Sequence, residues 1–449
     1  METISTSKGV ENMNCDILIK NTSFLNENFA IVKGKNIAIN NGKIESIFDC
    51  LENDYTSDNF IDGKDIVWMP GLVDGHLHTS QQLLRGRLLD ERPVIWKRIN
   101  IPHESKLTEE GSELSSKIAA LEMIKSGTTG FVDIGGKYVE NFASVYEKSG
   151  LRCALTYMTN DNPFAPESLR TTVTEGIDRL IDLYNKYENK HKRMKVFFSV
   201  PSLTVASEEM ITAVFSEAKK RDIPVETHMN EYSSEVFEFI EKYQLRPFEY
   251  LEKNNLIGKF IAAHCIFLSE TEIEIIKNHD VKVIHCPFSN SAKGVPRTPQ
   301  LLANNISVGF GTDGSGHGGL DLFKDMRLFR GIMNAVIGTG SADYQIMPSK
   351  TLLKIATQGG SNSLFSDNIG KLKEGYFADL IGIDLMQPHI YPTQNLVNSL
   401  VESVCGNDVK HMIVHGNLIM KNREIVTMDE EKILYEMKKF IEDGKLEVF

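Results

Sequence analysis

Met69-Pro-Gly-Leu-Val-Asp-Gly-His-Leu-His-Thr79 sets two imidazoles, His76 and His78, one residue apart at the end of an apolar stretch. In a strand, alternate side chains share a face, so both rings can point at one metal ion. Further along stand His228 in Val-Glu-Thr-His-Met-Asn-Glu231, His264 in Ile-Ala-Ala-His-Cys265, His285 in Val-Ile-His-Cys-Pro287 and Asp313 in Gly-Phe-Gly-Thr-Asp-Gly314. Each closes a short β-rich run.

From Gly71 onward such runs alternate with amphipathic helical segments, the order that gives a parallel sheet. The strand candidates are Leu72–His76, Gly130–Ile134, Cys153–Met158, Lys195–Pro201, Pro224–His228, Phe260–His264, Lys282–His285 and Ser307–Thr312. Eight strands predict a closed (β/α)8 TIM barrel over residues 71–372, an α/β fold whose reactive groups gather at the C-terminal strand ends. Strands one, five, six, seven and eight each end in His or Asp. One helix is expected to start at Thr108, a capping residue followed by Glu109 and Glu110, and to close at Gly127.

On either side of the barrel the pattern is β. Residues 1–70 include Ile37–Ile47, read as a hairpin turning at Asn41-Gly42 in the type I′ manner. Ala378–Ile383 and Met412–Asn417 read as strands, and the chain from Met428 is helical in period. The expected domains are therefore the barrel and a small composite β-sandwich built from residues 1–70 and 373–449.

The 449 residues are 41% hydrophobic with a net charge of -12, which excludes a disordered chain and argues against a nucleic-acid surface. Six scattered cysteines without a CxxC pair read as reduced thiols. No signal-peptide pattern opens the sequence and no run has the length of a membrane span, so a soluble cytoplasmic protein is expected, free or as a homo-oligomer.

Imidazoles plus one carboxylate, with a position left for water, suit one divalent ion per chain, Zn²⁺ or, as the alternative, Fe²⁺. His76, His78, His228 and Asp313 are the expected ligands. The ion makes a hydroxide nucleophile available at neutral pH. Glu231 is placed to exchange protons with the substrate, His264 to polarise the hydroxide, and Asp313 to pass its proton to the leaving group. His285 fits a substrate contact and a buried ring satisfied by backbone equally well. His103, His191, His279, His389, His411 and His415 show no partner pattern and are expected in surface or packing roles.

The segments PGLVDGHLHTSQQLLRG, AALEMIKSGTTGFVD, ETHMNE, AHCIFLSETEI, HCPFSN, GFGTDGSG and GKLKEGYFADLI together resemble the amidohydrolase superfamily. The similarity covers nearly the whole chain and points to the branch holding S-adenosylhomocysteine and methylthioadenosine deaminases and triazine hydrolases. It implies a mononuclear metal barrel that hydrolytically deaminates an aromatic heterocycle, with the ligand and catalytic residues named above and with Glu231 protonating a ring nitrogen. Ile101–Thr108 is similar to the segment whose Glu binds ribose hydroxyls in nucleoside deaminases, which implies substrate contacts at Glu104 and, as an apolar wall, Trp96.

Two departures bear on the substrate. Ser202 stands where those deaminases carry a substrate-touching His, and His317 enters after the strand-eight Asp. The expected small-molecule substrate is thus an aminated purine, pterin, pyrimidine or triazine, with or without ribose. A cyclic amidase with two bridged metals, or a triazine chlorohydrolase, is the alternative on the same fold, and a non-catalytic binding barrel the third.

Overall fold

At Gly71 the chain leaves one sheet and enters another. The structure, a computed structural model, describes residues 13–52, 55–92, 94–188, 192–343 and 345–446, so His191 lies outside it. Ile66–Pro70 pairs with terminal strands, and the next residues form barrel strand β1 (Leu72–Leu77). A Cβ at Gly71 would sit 2.0 Å from Thr129 Oγ1, so only glycine fits this crossing.

The remaining barrel strands are β2 (Thr128–Asp133), β3 (Arg152–Leu155), β4 (Met194–Val196 continued as Phe198–Ser202), β5 (Val225–Met229), β6 (Phe260–His264), β7 (Lys282–His285) and β8 (Val308–Phe310). All neighbours pair in parallel. Phe197 is the joint of β4: its N–H donates to Leu155 in β3, whereas Phe198 donates to Pro224 before β5. The ring closes where Asp313 N–H donates to His76 O at 3.0 Å and Leu77 bridges Asp313. The eight runs read from the sequence are the eight strands: β6 and β7 have the expected bounds, and the ends of the others are shifted by at most three residues.

Val73, Val132, Ala154, Phe197, Ile261 and Ile284 fill the barrel interior, and Leu364 and Ile369 pack against them. Above this apolar plug, histidine and aspartate side chains gather at the C-terminal strand ends. The helix Glu109–Ser126 is capped as expected, Thr108 Oγ1 accepting from Gly111 N–H at 3.1 Å, and Gly127 ends it at φ 88°.

Outside the barrel, strands from both ends of the chain form one nine-stranded sheet. Asn41 and Gly42 have φ of 51° and 81°, the left-handed pair that a type I′ hairpin needs. Ile17, Ile37 and Trp68 share one apolar cluster with Leu380 and Ile413, which welds the N-terminal strands to the C-terminal ones. One reading needs correcting: Met412–Asn417 is not one strand. Val409–Val414 ends at a turn through His415 and Gly416, with φ of 49° and 72°, and Asn417 begins the next strand. The final helix, Glu430–Glu442, is capped by Asp429.

A buried ion pair fastens the barrel to the sheet. Arg152 in β3 donates to Asp379 through Nε at 2.7 Å and Nη2 at 3.2 Å, and Asp379 also accepts from His415 N–H at 2.6 Å. Both side chains are 6% exposed. Asp379→Ala leaves Arg152 charged and unpaired, and is expected to cost about 3–5 kcal/mol in urea unfolding. A loss below 1 kcal/mol would show that the pair is not a fastening. Among the described residues, no helix is long and apolar enough to cross a membrane.

Candidate active site

Three strand ends adopt backbone that L-residues rarely take: Asn230, His264 and Asp313 have φ of 49°, 71° and 61°. Each such residue costs about 1–2 kcal/mol. The turn re-aims side chains that a regular strand would send along its own pleat, and such strain gathers at functional sites.

The result is a cluster at the barrel mouth. Ligand-type atoms of His76, His228, His264 and Asp313 lie within 4.8 Å of one another. His78 joins them, with Nε2 3.2 Å from His228 Nε2 and 3.1 Å from Asp313 Oδ1. All five are largely or wholly buried.

The ring tautomers follow from the opposite nitrogens. Nδ1 of His76 meets Glu226 Oε1 at 2.7 Å, Nδ1 of His228 meets Pro201 O at 2.6 Å, and Nδ1 of His264 meets Asn290 Oδ1 at 2.8 Å. Each oxygen holds a proton on Nδ1 and leaves an Nε2 lone pair for the centre, the arrangement that metal-binding histidines use. Nε2 of His76 and of His264 have no hydrogen-bond partner although both are buried. Orphaned imidazole nitrogens around one carboxylate fit a divalent ion, for which His, His, His and Asp are a suitable donor set.

Around the carboxylates the electrostatics agree with this geometry; Asp313 and Glu226 outweigh burial and raise His76 to about 10, a proton that a cation held at the centre would displace. Burial disfavours the charge on Asp313, but the neighbouring imidazoles of His76 and His78 outweigh it and hold its carboxyl well below the usual range. Burial drives His264 down to about 4, so its ring is neutral. Burial also acts against ionised Glu231, yet His264 and Lys293 bring that carboxyl down to about 2.

Glu231 lies beside this cluster, its Oε1 3.8 Å from His264 Nε2. Its backbone N–H donates to Glu235 Oε2 at 2.9 Å, which fixes the turn that carries it. A cavity of about 750 Å³ opens above, and His78, His228, Glu231 and Asp313 form part of its floor. Trp96, Glu104, Ser202 and His317 stand in its wall, as the sequence implied. Glu104 Oε1 accepts from Ser80 Oγ and Gln81 Nε2, each at 2.9 Å. His285 does not reach this wall. It is fully buried, stacked on Phe329, with Nδ1 bonded to His264 O at 2.9 Å, so of its two readings the structure favours the packed ring that props β6.

Four participants escaped the sequence reading: Glu226, Gln81, Asn290 and Lys293. Glu226 had a signal, since it precedes His228 by two in a strand and so shares its face. Asn290 closes the HCPFSN segment, but nothing in its spacing pairs it with His264. Lys195, the lysine nearest the end of β4 that two bridged metals would require, starts the strand instead and donates to Phe365 O at 2.6 Å.

The amidohydrolase family model matches residues 67–419. The 5'-deoxyadenosine deaminase of Methanocaldococcus jannaschii is 33% identical over 428 residues, 93% of this chain and 97% of its own. The 5-methylthioadenosine/S-adenosylhomocysteine deaminase of Dictyoglomus turgidum is 32% identical over 430 residues, 94% and 97% of the two chains. In three dimensions, an adenosine deaminase from Xanthomonas campestris with bound zinc superposes with a TM-score of 0.90 at 24% identity, covering 97% of this chain and 99% of that one. An atrazine chlorohydrolase from Arthrobacter aurescens complexed with zinc gives 0.85 at 20% identity over 95% and 100%. A barrel whose strand ends bring four histidines and one aspartate together, matched by that family over most of its length, has one classification: the chain belongs to the amidohydrolase family.

Proposed function

We propose that this amidohydrolase deaminates an amino-substituted heterocycle of the purine nucleoside type, releasing ammonia. The observation that carries the proposal is the convergence of Glu231, His264 and Asp313 on one point beside His76, His78 and His228, at the floor of a cavity of nucleoside size. Curated relatives about one-third identical over nearly the whole chain carry deaminase names, which supports the same reaction. One zinc ion per chain is the proposed cofactor, held by His76, His78, His228 and Asp313. When bound, it supplies a Lewis acid that makes water nucleophilic at neutral pH.

The residues divide the remaining work. Ionised Glu231 takes a proton from the attacking water and delivers it to the ring nitrogen beside the amino-bearing carbon, which makes that carbon a better electrophile. Neutral His264, its Nδ1–H held by Asn290, accepts a hydrogen bond from the same water through Nε2. Asp313 takes the second proton and passes it to the departing amine, and the C–N bond breaks with loss of ammonia. Six free cysteines support a reducing cytoplasm as the compartment.

Ammonia release by the zinc-loaded protein on adenosine, 5'-deoxyadenosine, methylthioadenosine, S-adenosylhomocysteine, guanine, cytosine and aminopterins tests the proposal. Turnover on at least one ring is expected, and silence on all of them with metal bound refutes it. Glu104 is proposed to bind ribose hydroxyls, so Glu104→Ala is expected to raise KM for nucleosides about tenfold, the size of a charge-assisted hydrogen bond. KM for a free base should not move, and an equal rise for both would sink the ribose assignment.

A further inference from the structure

Asn230 stands between the last residue of β5 and Glu231, and its side chain enters a buried clasp behind the site. Its Nδ2 donates to Phe267 O at 3.0 Å and to Glu272 Oε1 at 2.9 Å. Its carbonyl accepts from the N–H groups of Ile266 and Phe267, each at 3.1 Å, and Cys265 N–H donates to Met229 O at 2.9 Å. These bonds sew the turn after β5 to the turn after β6. The backbone that carries Glu231 is thereby tied to the backbone that leaves His264.

Glu272 is the centre of the clasp. It lies on the helix Glu270–Asn278 with its side chain fully buried, and the reaction just described gives it no task. N–H groups face both of its oxygens. Asn230 Nδ2 and Phe248 N–H reach Oε1 at 2.9 and 3.4 Å, and Arg246 Nε and Ser269 N–H reach Oε2 at 2.7 and 3.0 Å. Only a carboxylate accepts at both ends, whereas an amide of the same shape sets one N–H against another, and an unmatched buried donor is costly. Arg246 completes the arrangement, its Nη2 donating at 2.7 Å to Phe267 O, the carbonyl that Asn230 also holds. None of Asn230, Arg246 and Glu272 lines the cavity.

The clasp holds Asn230 in its left-handed backbone, with φ of 49°, and so sets where Glu231 emerges. In front of it, Glu231 Oε1 and His264 Nε2 are 3.8 Å apart, and these are the two groups that share the attacking water. Reacting geometry of this kind is sensitive, since a displacement of about 1 Å can cost about 100-fold in rate.

We infer that Asn230 and Glu272 are positioning residues that act through Glu231, locking its turn against that of His264 from outside the cavity. The kinetic consequence rests on the deaminase reading, and the geometric one does not.

Two variants test this. Asn230→Gly keeps the left-handed turn without strain and deletes only the amide, while Phe267 O and Glu272 keep their other donors. Glu272→Gln leaves the backbone at Asn230 as it is and breaks the match of donors to acceptors. Each should lower kcat about 10- to 100-fold at unchanged zinc content, with KM moved less than about threefold. Introduced into the Glu231→Gln enzyme, the same substitutions should change the residual rate less than about twofold, because changes that act through one group are not additive. Equal falls in both backgrounds, the mark of a merely structural role, overturn the inference, and so does wild-type kcat in both variants. If the wild-type protein releases no ammonia from any nucleoside, the deaminase reading fails, and crystal structures of the wild type and Asn230→Gly decide separately. A Glu231 carboxylate displaced relative to His264 by more than about 0.5 Å, the tolerance of a working site, sustains the inference, and a smaller displacement overturns it.

Discussion

Replacing Glu231 by glutamine is expected to leave the zinc-loaded protein with about one-thousandth of its kcat or less, with zinc content and melting temperature little changed. The amide keeps the shape of the carboxylate and can still receive the ring, but it cannot take a proton from water and pass it on. Proton transfer by a positioned side chain contributes typically about 10²–10⁴-fold. Here a single group serves both partners, so the loss should fall at the upper end. The Glu231 side chain lies in a buried network with Lys293 and His264, and that network argues for reading kcat in a single turnover, where product release does not mask the step. KM should shift only a few-fold, since the ring still finds a hydrogen-bonding group. A variant that releases ammonia at the wild-type rate would remove Glu231 from the chemistry and return attention to Asp313 as the sole proton carrier.

The sequence made the barrel legible because its signal is redundant. Eight β-rich runs at regular spacing, five of them ending in His or Asp, leave few other architectures. β6 and β7 have the bounds read from the sequence, whereas the other strands moved by up to three residues, because the apolar pattern runs on past the last ladder hydrogen bond. His76, His78, His228, His264 and Asp313 came together as read, since each sits at a position the fold sends to one mouth. His285 shares that register at the end of β7, yet the backbone of β6 captures its ring. Lys293 and Asn290 reach the site from a loop, and a loop's path depends on packing that a linear pattern does not encode. Glu226 was within reach, because a carboxylate two residues before a ligand histidine on one strand lies on the same face. His415-Gly416 shows the converse error, a left-handed turn read as strand because apolar residues precede it.

Stripping the metal with a chelator is expected to abolish activity, by about 10³-fold or more, and to lower the melting temperature by several degrees. The first effect follows from losing the group that makes water nucleophilic near neutral pH, a contribution of several kcal/mol at about 1.4 kcal/mol per factor of ten. The second follows from linkage: an ion bound only by the folded state, at a thousand times its Kd, stabilises by about 4 kcal/mol. The buried Nε2 atoms of His76 and His264 have no partner among the protein's own groups, and Asp313 holds its charge among histidines, Ser289 and Lys293. Restoring zinc should recover both properties at one ion per chain. His228→Ala should reproduce the chelated state and resist rescue at the same zinc concentration. Stoichiometry separates the two chemistries that this fold supports. A second tightly held ion would need a bridging group near β4, yet Lys195 is committed to the Phe365 carbonyl at the start of that strand. Two ions per chain would therefore sink the mononuclear reading and favour cyclic amide hydrolysis. One ion, with activity lost and regained in step with it, ties the cluster of His76, His78, His228 and Asp313 to the reaction as well as to the stability of the fold.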